Sequence, residues 1–156
     1  MNYKIFLIAI IALCIDQISK LVVNSLITLN QSAVVIPNFF RITPHNNLGA
    51  AWGIFNGKTH LLIILSIIGF VIIYRYMRTF KLNNRNTLAF GILIGGIIGN
   101  LIDRIFLNGV RDFLDFNFGT YNFPIFNIAD SCIVIAVVLL IYAIFKGEDK
   151  NDNKRW

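Results

Sequence analysis

Charged residues are scarce in this chain of 156 residues. They make up 14% of it, whereas hydrophobic residues make up 56%, and the mean hydropathy is +0.69. Soluble domains typically carry about 25% charged residues and are less apolar. The composition therefore excludes an ordinary soluble domain and indicates a membrane protein.

Cysteine and histidine are also rare, with two of each. Cys14 and Cys132 both fall within apolar segments, so we expect them to pack in the core and not to form a disulfide. His45 and His60 show no metal-ligand spacing with each other or with a carboxylate. We therefore expect neither a metal site nor a cofactor.

Long apolar runs are what the sequence has in abundance. Four of them reach the length of about 20 residues that crosses a bilayer, namely residues 4–23, 59–77, 88–106 and 128–146. The first run begins like a secretory signal peptide, but it continues without a cleavage-like region, which favours a retained helix. We predict an all-α membrane protein in which residues 1–156 form a single membrane-embedded domain with four transmembrane helices.

The positions of the cations predict the orientation, because Lys and Arg accumulate in cytoplasmic loops. Nine of the fourteen lie before the first helix, in the short second loop or in the tail: Lys4, Arg75, Arg78, Lys81, Arg85, Lys146, Lys150, Lys154 and Arg155. Both termini are then cytoplasmic. The net charge of +6 reflects this topology and contact with membrane lipids, and we expect no nucleic-acid partner.

The first outer loop, residues 24–58, is the largest segment outside the apolar runs. Residues 32–43 are rich in Val, Ile and Phe and contain a turn signal at Pro37 and Asn38. This pattern predicts short strands, and therefore a small extracytoplasmic β-element formed by the first outer loop. Such an element either supports a substrate polypeptide at the membrane surface or is a surface re-entrant loop without a role in substrate binding.

Five of the eight acidic residues lie in or beside apolar runs, where a carboxylate is costly. With the predicted orientation all five lie toward the outer side, so one shared site would collect most of them. They are Asp16, Asp103, Asp112, Asp115 and Asp130. Asp112 and Asp130 lie near the ends of two apolar runs, and such a pair indicates acid/base chemistry by two carboxylates.

The third helix carries a repeat of small residues followed by charged ones. Gly91, Gly95 and Gly99 repeat every fourth residue, which predicts close packing against a neighbouring helix. Asp103 and Arg104 follow one turn later. They are either an ion pair that fixes helix packing or part of the outer site.

Other polar residues also have two explanations. Asp16 and Lys20 form an i, i+4 pair on the first helix, which favours a supporting role. Asn127 and Asp130 have the spacing of a helix cap, with Asn127 as the N-cap and Asp130 in the first turn. This structural explanation stands beside a catalytic role for Asp130.

Five motifs follow in an order and spacing that resemble those of the bacterial lipoprotein signal peptidases, or type II signal peptidases. They are Asp16-Gln17-Ile18-Ser19-Lys20, Asn47-Leu48-Gly49-Ala50-Ala51-Trp52-Gly53, Gly99-Asn100-Leu101-Ile102-Asp103-Arg104, Val110-Arg111-Asp112-Phe113 and Phe126-Asn127-Ile128-Ala129-Asp130-Ser131. The resemblance covers about residues 4–146. It implies an aspartic endopeptidase of the bacterial plasma membrane with its active site toward the outer face. Such an enzyme removes the signal peptide from diacylglyceryl-modified prolipoproteins, cleaving N-terminal to the lipidated cysteine.

The resemblance also implies residue roles. Asp112 and Asp130 correspond to the catalytic pair, and Asp16 with Lys20 to supporting residues. The residues that bind substrate or inhibitors correspond to Asn47, Gly49, Asn100, Asp103, Arg104 and Asn127. The implied ligands are lipid-modified prolipoproteins and cyclic peptide inhibitors of the globomycin type, and we expect a monomer.

Two residues depart from the family pattern. Arg111 stands where an apolar residue is usual, and Asn46 stands where a basic or apolar residue is usual. Arg111 would lower the pKa of Asp112 if its side chain turned inward, although neighbouring side chains of a strand face opposite ways.

Two other classes of function account for fewer of these features. A cation-coupled transporter usually has helices broken near the membrane midplane or an inverted repeat, and we find neither. A non-catalytic scaffold explains the glycine repeat but leaves Asp112 and Asp130 without a role. Peptide hydrolysis by two carboxylates that share one proton gives both a role.

Overall fold

Four α-helices and a small sheet make up the part of the protein that the structure describes. The computed structural model describes residues 2–29 and 31–150. The helices are α1 (Tyr3–Leu26), α2 (Thr59–Tyr76), α3 (Asn84–Leu107) and α4 (Ile128–Phe145), and short 3-10 turns occupy Ala51–Gly53 and Met77–Thr79. All four helices are long and apolar enough to cross a membrane, so the predicted spans are confirmed. Lys154, Arg155 and Asn30, on which parts of the orientation and loop predictions rest, lie outside the described residues.

Two of the helices, α1 and α3, begin before the predicted apolar runs, because polar residues cap them. The Asn83 side chain accepts a hydrogen bond from the Asn86 main-chain N–H at 2.9 Å, so α3 begins at Asn84 and not at residue 88. Asn2 caps α1 in the same way by accepting from Lys4 N–H.

Helix α3 is the centre of the bundle and packs against α1 on one face and α4 on another. A methyl group added at Gly95 would lie 2.6 Å from the Ala9 carbonyl oxygen of α1. On the other face, a methyl group at Gly96 would lie 2.6 Å from the Ala129 carbonyl oxygen of α4. The predicted close packing at the glycine repeat is therefore confirmed.

The outward faces of α1, α2 and α4 are covered with exposed Leu, Ile, Val and Phe side chains, as expected of surfaces that face lipid. Cys14 is exposed on this surface and Cys132 is partly buried, and both are free thiols. The prediction of core packing is wrong for Cys14, because the face of α1 that contacts α3 carries Ala9, Ala12 and Asp16.

The sheet is antiparallel, with strands in the order β1 (Ala33–Ile36), β2 (Phe40–Asn47), β3 (Val110–Phe118) and β4 (Tyr121–Asn122). The predicted strands of the first loop are present, and Asn38 turns between them with φ 61°. Two of the four strands come, however, from the segment after α3, so the prediction of a β-element formed by the first loop alone is wrong in this respect. Buried polar residues in β3 conceal its strand pattern.

The connections bring the polar residues to one end of the bundle. Because successive helices alternate in direction, the C-terminal ends of α1 and α3 lie beside the N-terminal ends of α2 and α4. Asn108 adopts a left-handed conformation, with φ 57°, and turns the chain from α3 into β3. In the sheet, His45 stands opposite Asp112 and Arg41 opposite Asp115.

We expect Gly95→Ala to lower the unfolding temperature in detergent, because its methyl group would collide with a backbone oxygen of α1. Overpacking of this kind costs about 1–3 kcal/mol. The matched control is Gly69→Ala on α2, where an added methyl group meets nothing within 4 Å. That variant should be neutral or more stable, by up to about 1 kcal/mol. Equal unfolding temperatures for the two variants would contradict the packing role of Gly95.

Candidate active site

Asp112 on β3 and Asp130 in the first turn of α4 line the same cavity, whose volume is about 680 Å³. The charged and amide side chains that line it belong to the end of the bundle next to the sheet, and the remainder of its wall is largely apolar. Within the bundle the cavity extends between α2 and α4, where Gly69, Ile133 and Val134 line it. A small group of polar side chains in an apolar cavity is typical of a ligand or active site.

Asn127 contacts both aspartates. Its side-chain Nδ2 donates to Asp112 Oδ1 at 2.6 Å, and its main-chain N–H donates to Asp130 Oδ2 at 3.3 Å. Its Oδ1 accepts from the Asp130 main-chain N–H at 2.9 Å, which completes a capping box at the start of α4. The predicted cap is confirmed, and the same geometry holds Asp130 beside Asp112.

Two further amides complete the contacts of the pair. Asn47 Nδ2 donates to Asp112 Oδ2 at 2.9 Å, and Asn100 Nδ2 donates to Asp130 Oδ1 at 2.7 Å. Asn47 Oδ1 in turn accepts from the Gly49 main-chain N–H at 2.9 Å. Each aspartate therefore accepts from two N–H groups, all of them on uncharged amides.

The environment of Asp112 favours its protonated form. Burial raises the pKa of this carboxyl to about 7, and the neighbouring Asp130 carboxylate acts in the same direction. The amides of Asn47 and Asn127 oppose the rise by donating to the charged form. Asp112 therefore keeps its proton at pH values at which an exposed aspartate is fully ionised.

A buried cluster of charges lies beside the pair, between α1 and α3. Lys20 Nζ contacts Asp16 Oδ2 at 2.8 Å, Asp103 Oδ2 at 3.2 Å and Asn100 Oδ1 at 3.1 Å. Asp16, Lys20 and Asp103 are all 0% exposed. The predicted Asp16 and Lys20 pair is confirmed, and Asn100 joins this cluster to Asp130.

Arg111 faces this cluster and not the cavity. Its Nη2 lies 2.6 Å from Asp103 Oδ1, whereas the next residue, Asp112, faces the cavity. The alternation of side chains along β3 thus turns Arg111 away from the pair. An inward-turned Arg111 that lowers the pKa of Asp112 is therefore not found.

The predicted site residues divide between the cavity and the structure behind it. Asn47, Asn100 and Arg104 line the cavity together with the two aspartates. Asp103 and Asn127 are fully buried and do not line it, and Gly49 lies in the loop, where an added methyl group would be 2.8 Å from the Ile54 carbonyl oxygen.

Four of the five expected aspartates meet at this end of the bundle, and Asp115 does not join them. Its Oδ2 lies 2.9 Å from Arg41 Nη2 and accepts from the Thr43 hydroxyl at 2.8 Å, on the sheet. His45 and His60 are both exposed. Within residues 2–29 and 31–150, no three His, Cys, Asp or Glu side chains are arranged to hold a metal ion.

The sequence indicated no role for Gln17, and it placed Trp52 at the headgroup level and Phe123 in an apolar rim without predicting that both line the cavity. Gln17 Nε2 donates to Asp16, to the Gly99 carbonyl oxygen and to Asp103. Trp52 and Phe123 both line the cavity, with ring centroids 6.3 Å apart. Gln17 follows Asp16 in a membrane span, and its position there was the available signal.

Comparisons with known proteins agree with this geometry. A sequence model of the signal peptidase (SPase) II family matches residues 8–146. The lipoprotein signal peptidase of Staphylococcus aureus is 41% identical over 149 residues, which cover 95% of this chain and 91% of that protein. The lipoprotein signal peptidase of strain JH9 of that species matches with the same identity and coverage.

Two solved structures are also similar, and both are described as bacterial membrane enzymes determined by the in meso method. The structure at 2.3 Å resolution has a TM-score of 0.85 at 36% identity, and the match covers 100% of this chain and 96% of that chain. The structure at 1.9 Å has a TM-score of 0.83 at 38% identity, with coverages of 94% and 95%. The chain therefore belongs to the signal peptidase II family and is a multi-pass membrane endopeptidase of the aspartic class.

Proposed function

We propose that Asp112 and Asp130 are the catalytic dyad with which this signal peptidase cleaves prolipoproteins. One observation carries the assignment. Among the acidic residues that the structure describes at this end of the bundle, Asp16, Asp103 and Asp115 contact cations, whereas Asp112 and Asp130 accept only from amides. A carboxylate without a cationic partner exchanges a proton most readily near neutral pH.

The two aspartates would divide the chemistry between them. Asp130 lies in the first turn of α4, where the helix dipole favours a carboxylate. Through Asn100 it is also connected to the Lys20 ammonium group. Asp130 as the base removes a proton from the attacking water, and Asp112 protonates the leaving amine after donating a hydrogen bond to the scissile carbonyl.

The substrate would bind along the cavity with its lipid deep in the bundle. Asn47, Asn100 and Arg104 line the polar part of the cavity and are the proposed contacts to the polypeptide. Asp103, Asn127 and Gly49 act behind them by holding these contacts in place. Between α2 and α4 the wall is largely apolar, which suits the acyl chains of a diacylglyceryl group. Cyclic peptide inhibitors of the globomycin type would compete for the same cavity.

We further propose that residues 1–156 act as one monomeric domain in the bacterial plasma membrane. In this arrangement both termini are cytoplasmic, the sheet and the dyad lie at the outer face, and lipid headgroups contact the cytoplasmic cations. The excess of Lys and Arg in the second loop and the tail supports the orientation.

The first prediction concerns the dyad. Asp112→Asn and Asp130→Asn should each lower the turnover of prolipoprotein by about 10²-fold to 10⁴-fold or more, because the amide keeps the shape of the side chain but cannot exchange the proton. Turnover is measured with expression matched between variants. The control is Asp115→Asn, which should retain far more activity. Near-normal turnover of either dyad variant would remove that residue from the catalytic role.

The second prediction concerns orientation. A reporter fused after residue 156, or inserted near Asn83, should report a cytoplasmic location, and a reporter inserted near Asn30 should report an external one. The reason is the distribution of Lys and Arg between the loops. An external C-terminal reporter would invert the topology and assign the dyad to the opposite face.

The third prediction concerns the lipid. Two matched prolipoproteins, one with and one without the diacylglyceryl group, should be cleaved at very different rates in the same liposomes. Buried acyl chains contribute about 0.8 kcal/mol per methylene and hold the scissile bond at the depth of the dyad. Without the lipid the scissile bond is no longer held at that depth, so the unlipidated substrate should have a lower kcat as well as a higher KM. Equal rates would indicate an intramembrane aspartic protease of broader specificity.

A further inference from the structure

Arg111 is a largely buried cation next to a proposed catalytic residue, yet the dyad chemistry gives it no role. Its side chain is only 13% exposed. Nη2 donates to Asp103 Oδ1 at 2.6 Å and Nε to Asp103 Oδ2 at 3.3 Å, so the guanidinium holds both oxygens of that carboxylate. The main-chain N–H of Arg111 also donates to Asp103 Oδ2, at 3.0 Å.

Arg111 completes the charge balance of the buried cluster. The cluster contains two carboxylates, Asp16 and Asp103, and two cations, Lys20 and Arg111. Without Arg111 a single ammonium group would face both carboxylates. Negative charge that is only partly compensated is unfavourable in a buried cluster, and its field would extend to the aspartates of the dyad.

The balance affects how Lys20 uses its three N–H groups. An ammonium group has three donors, and here they point to Asp16, Asp103 and Asn100. Because Arg111 holds both oxygens of Asp103, Lys20 keeps one donor for Asn100 Oδ1 at 3.1 Å. With its oxygen held by Lys20, the Asn100 amide presents Nδ2 to Asp130 at 2.7 Å.

We propose that Arg111 is a positioning residue for the dyad, because it neutralises Asp103 and so leaves Lys20 to orient the Asn100 amide toward Asp130. The same contacts bind β3, which carries Asp112, to α3. Arg111 does not line the cavity and touches no substrate in this arrangement. The inference rests on the proposed function, since it affects catalysis only if Asp112 and Asp130 react.

The charge of Arg111 should be visible in the pH profile. If Asp103 loses its guanidinium partner, the added negative field raises the pKa of Asp112. Asp112 then keeps its proton up to a higher pH, so the alkaline limb of the kcat/KM profile moves to higher pH. The other titratable or charged groups that surround the dyad are unchanged in the test: Asp16 and Lys20 on α1, Asp103 and Arg104 on α3, Asp130 on α4 and His45 opposite Asp112 on β2.

The experiment compares two variants. Arg111→Gln removes the charge but keeps N–H donors, and Arg111→Lys keeps the charge but loses the paired donors that hold both oxygens of Asp103. Arg111→Gln should move the alkaline limb upward by about 0.5 pH unit or more and lower kcat about tenfold at unchanged KM. Arg111→Lys should retain the limb of the parent enzyme and lower kcat less. The matched control is Arg41→Gln, which removes a sheet arginine paired with Asp115 and should leave the limb in place.

An Arg111→Gln enzyme with the parent pH profile would overturn the inference, whatever its total activity. If that variant is recovered only unfolded, Arg111→Lys decides: the parent limb with a modest loss of kcat supports the role, and a limb that moves by about 0.5 pH unit or more although the charge is retained overturns it. Activity of Asp112→Asn or Asp130→Asn would instead contradict the proposed function. A parent profile for Arg111→Gln beside inactive dyad variants would contradict only the role of Arg111.

Discussion

Charge buried at the end of an apolar bundle must be partnered, and the arrangement of this protein follows from that requirement. Among the described residues, no buried side-chain nitrogen or oxygen lacks a hydrogen-bond partner. Asp16 shows how the partners join the helices, because its Oδ1 accepts from the Ala129 main-chain N–H of α4 at 2.9 Å while Lys20 holds its Oδ2. A methyl group at Gly99 would lie 2.5 Å from that Oδ2. Close helix packing and the charge cluster therefore require each other.

Helix capping by itself accounts for the position of Asp130, without any requirement from catalysis. An N-terminal turn leaves main-chain N–H groups without partners inside the helix. At the start of α4 the Asn127 side chain and the Asp16 carboxylate accept from two of them. Because the third residue of such a cap points back to the capping residue, Asp130 meets Asn127, which also holds Asp112. A common helix-end motif thus brings two carboxylates from different segments together.

How far the sequence predicts the structure depends on how local each signal is. The four spans follow from run length, and the Asn127 and Asp130 cap from residues three apart. The pairing of β3 with the strands of the first loop was not predicted, because Asp112 and Asp115 occupy buried positions that normally carry apolar side chains. The contact between Arg111 and Gln17 joins residues 94 positions apart, and no local pattern predicts it. Cys14 was misassigned because composition identifies a span but not which face meets lipid.

The kind of partner separates carboxylates that hold the fold from those that can react. Asp103 contacts two cations, Lys20 and Arg111, and such pairing fixes its charge. Asp112 instead accepts from neutral amides, and burial raises its pKa to about 7. Amides orient a carboxylate nearly as well as a cation does but compensate its charge less. A site that must exchange a proton while remaining rigid therefore needs amides in direct contact with the dyad and cations in contact with those amides. Asn100 and Lys20 have this arrangement, because Asn100 contacts Asp130 and Lys20 contacts Asn100.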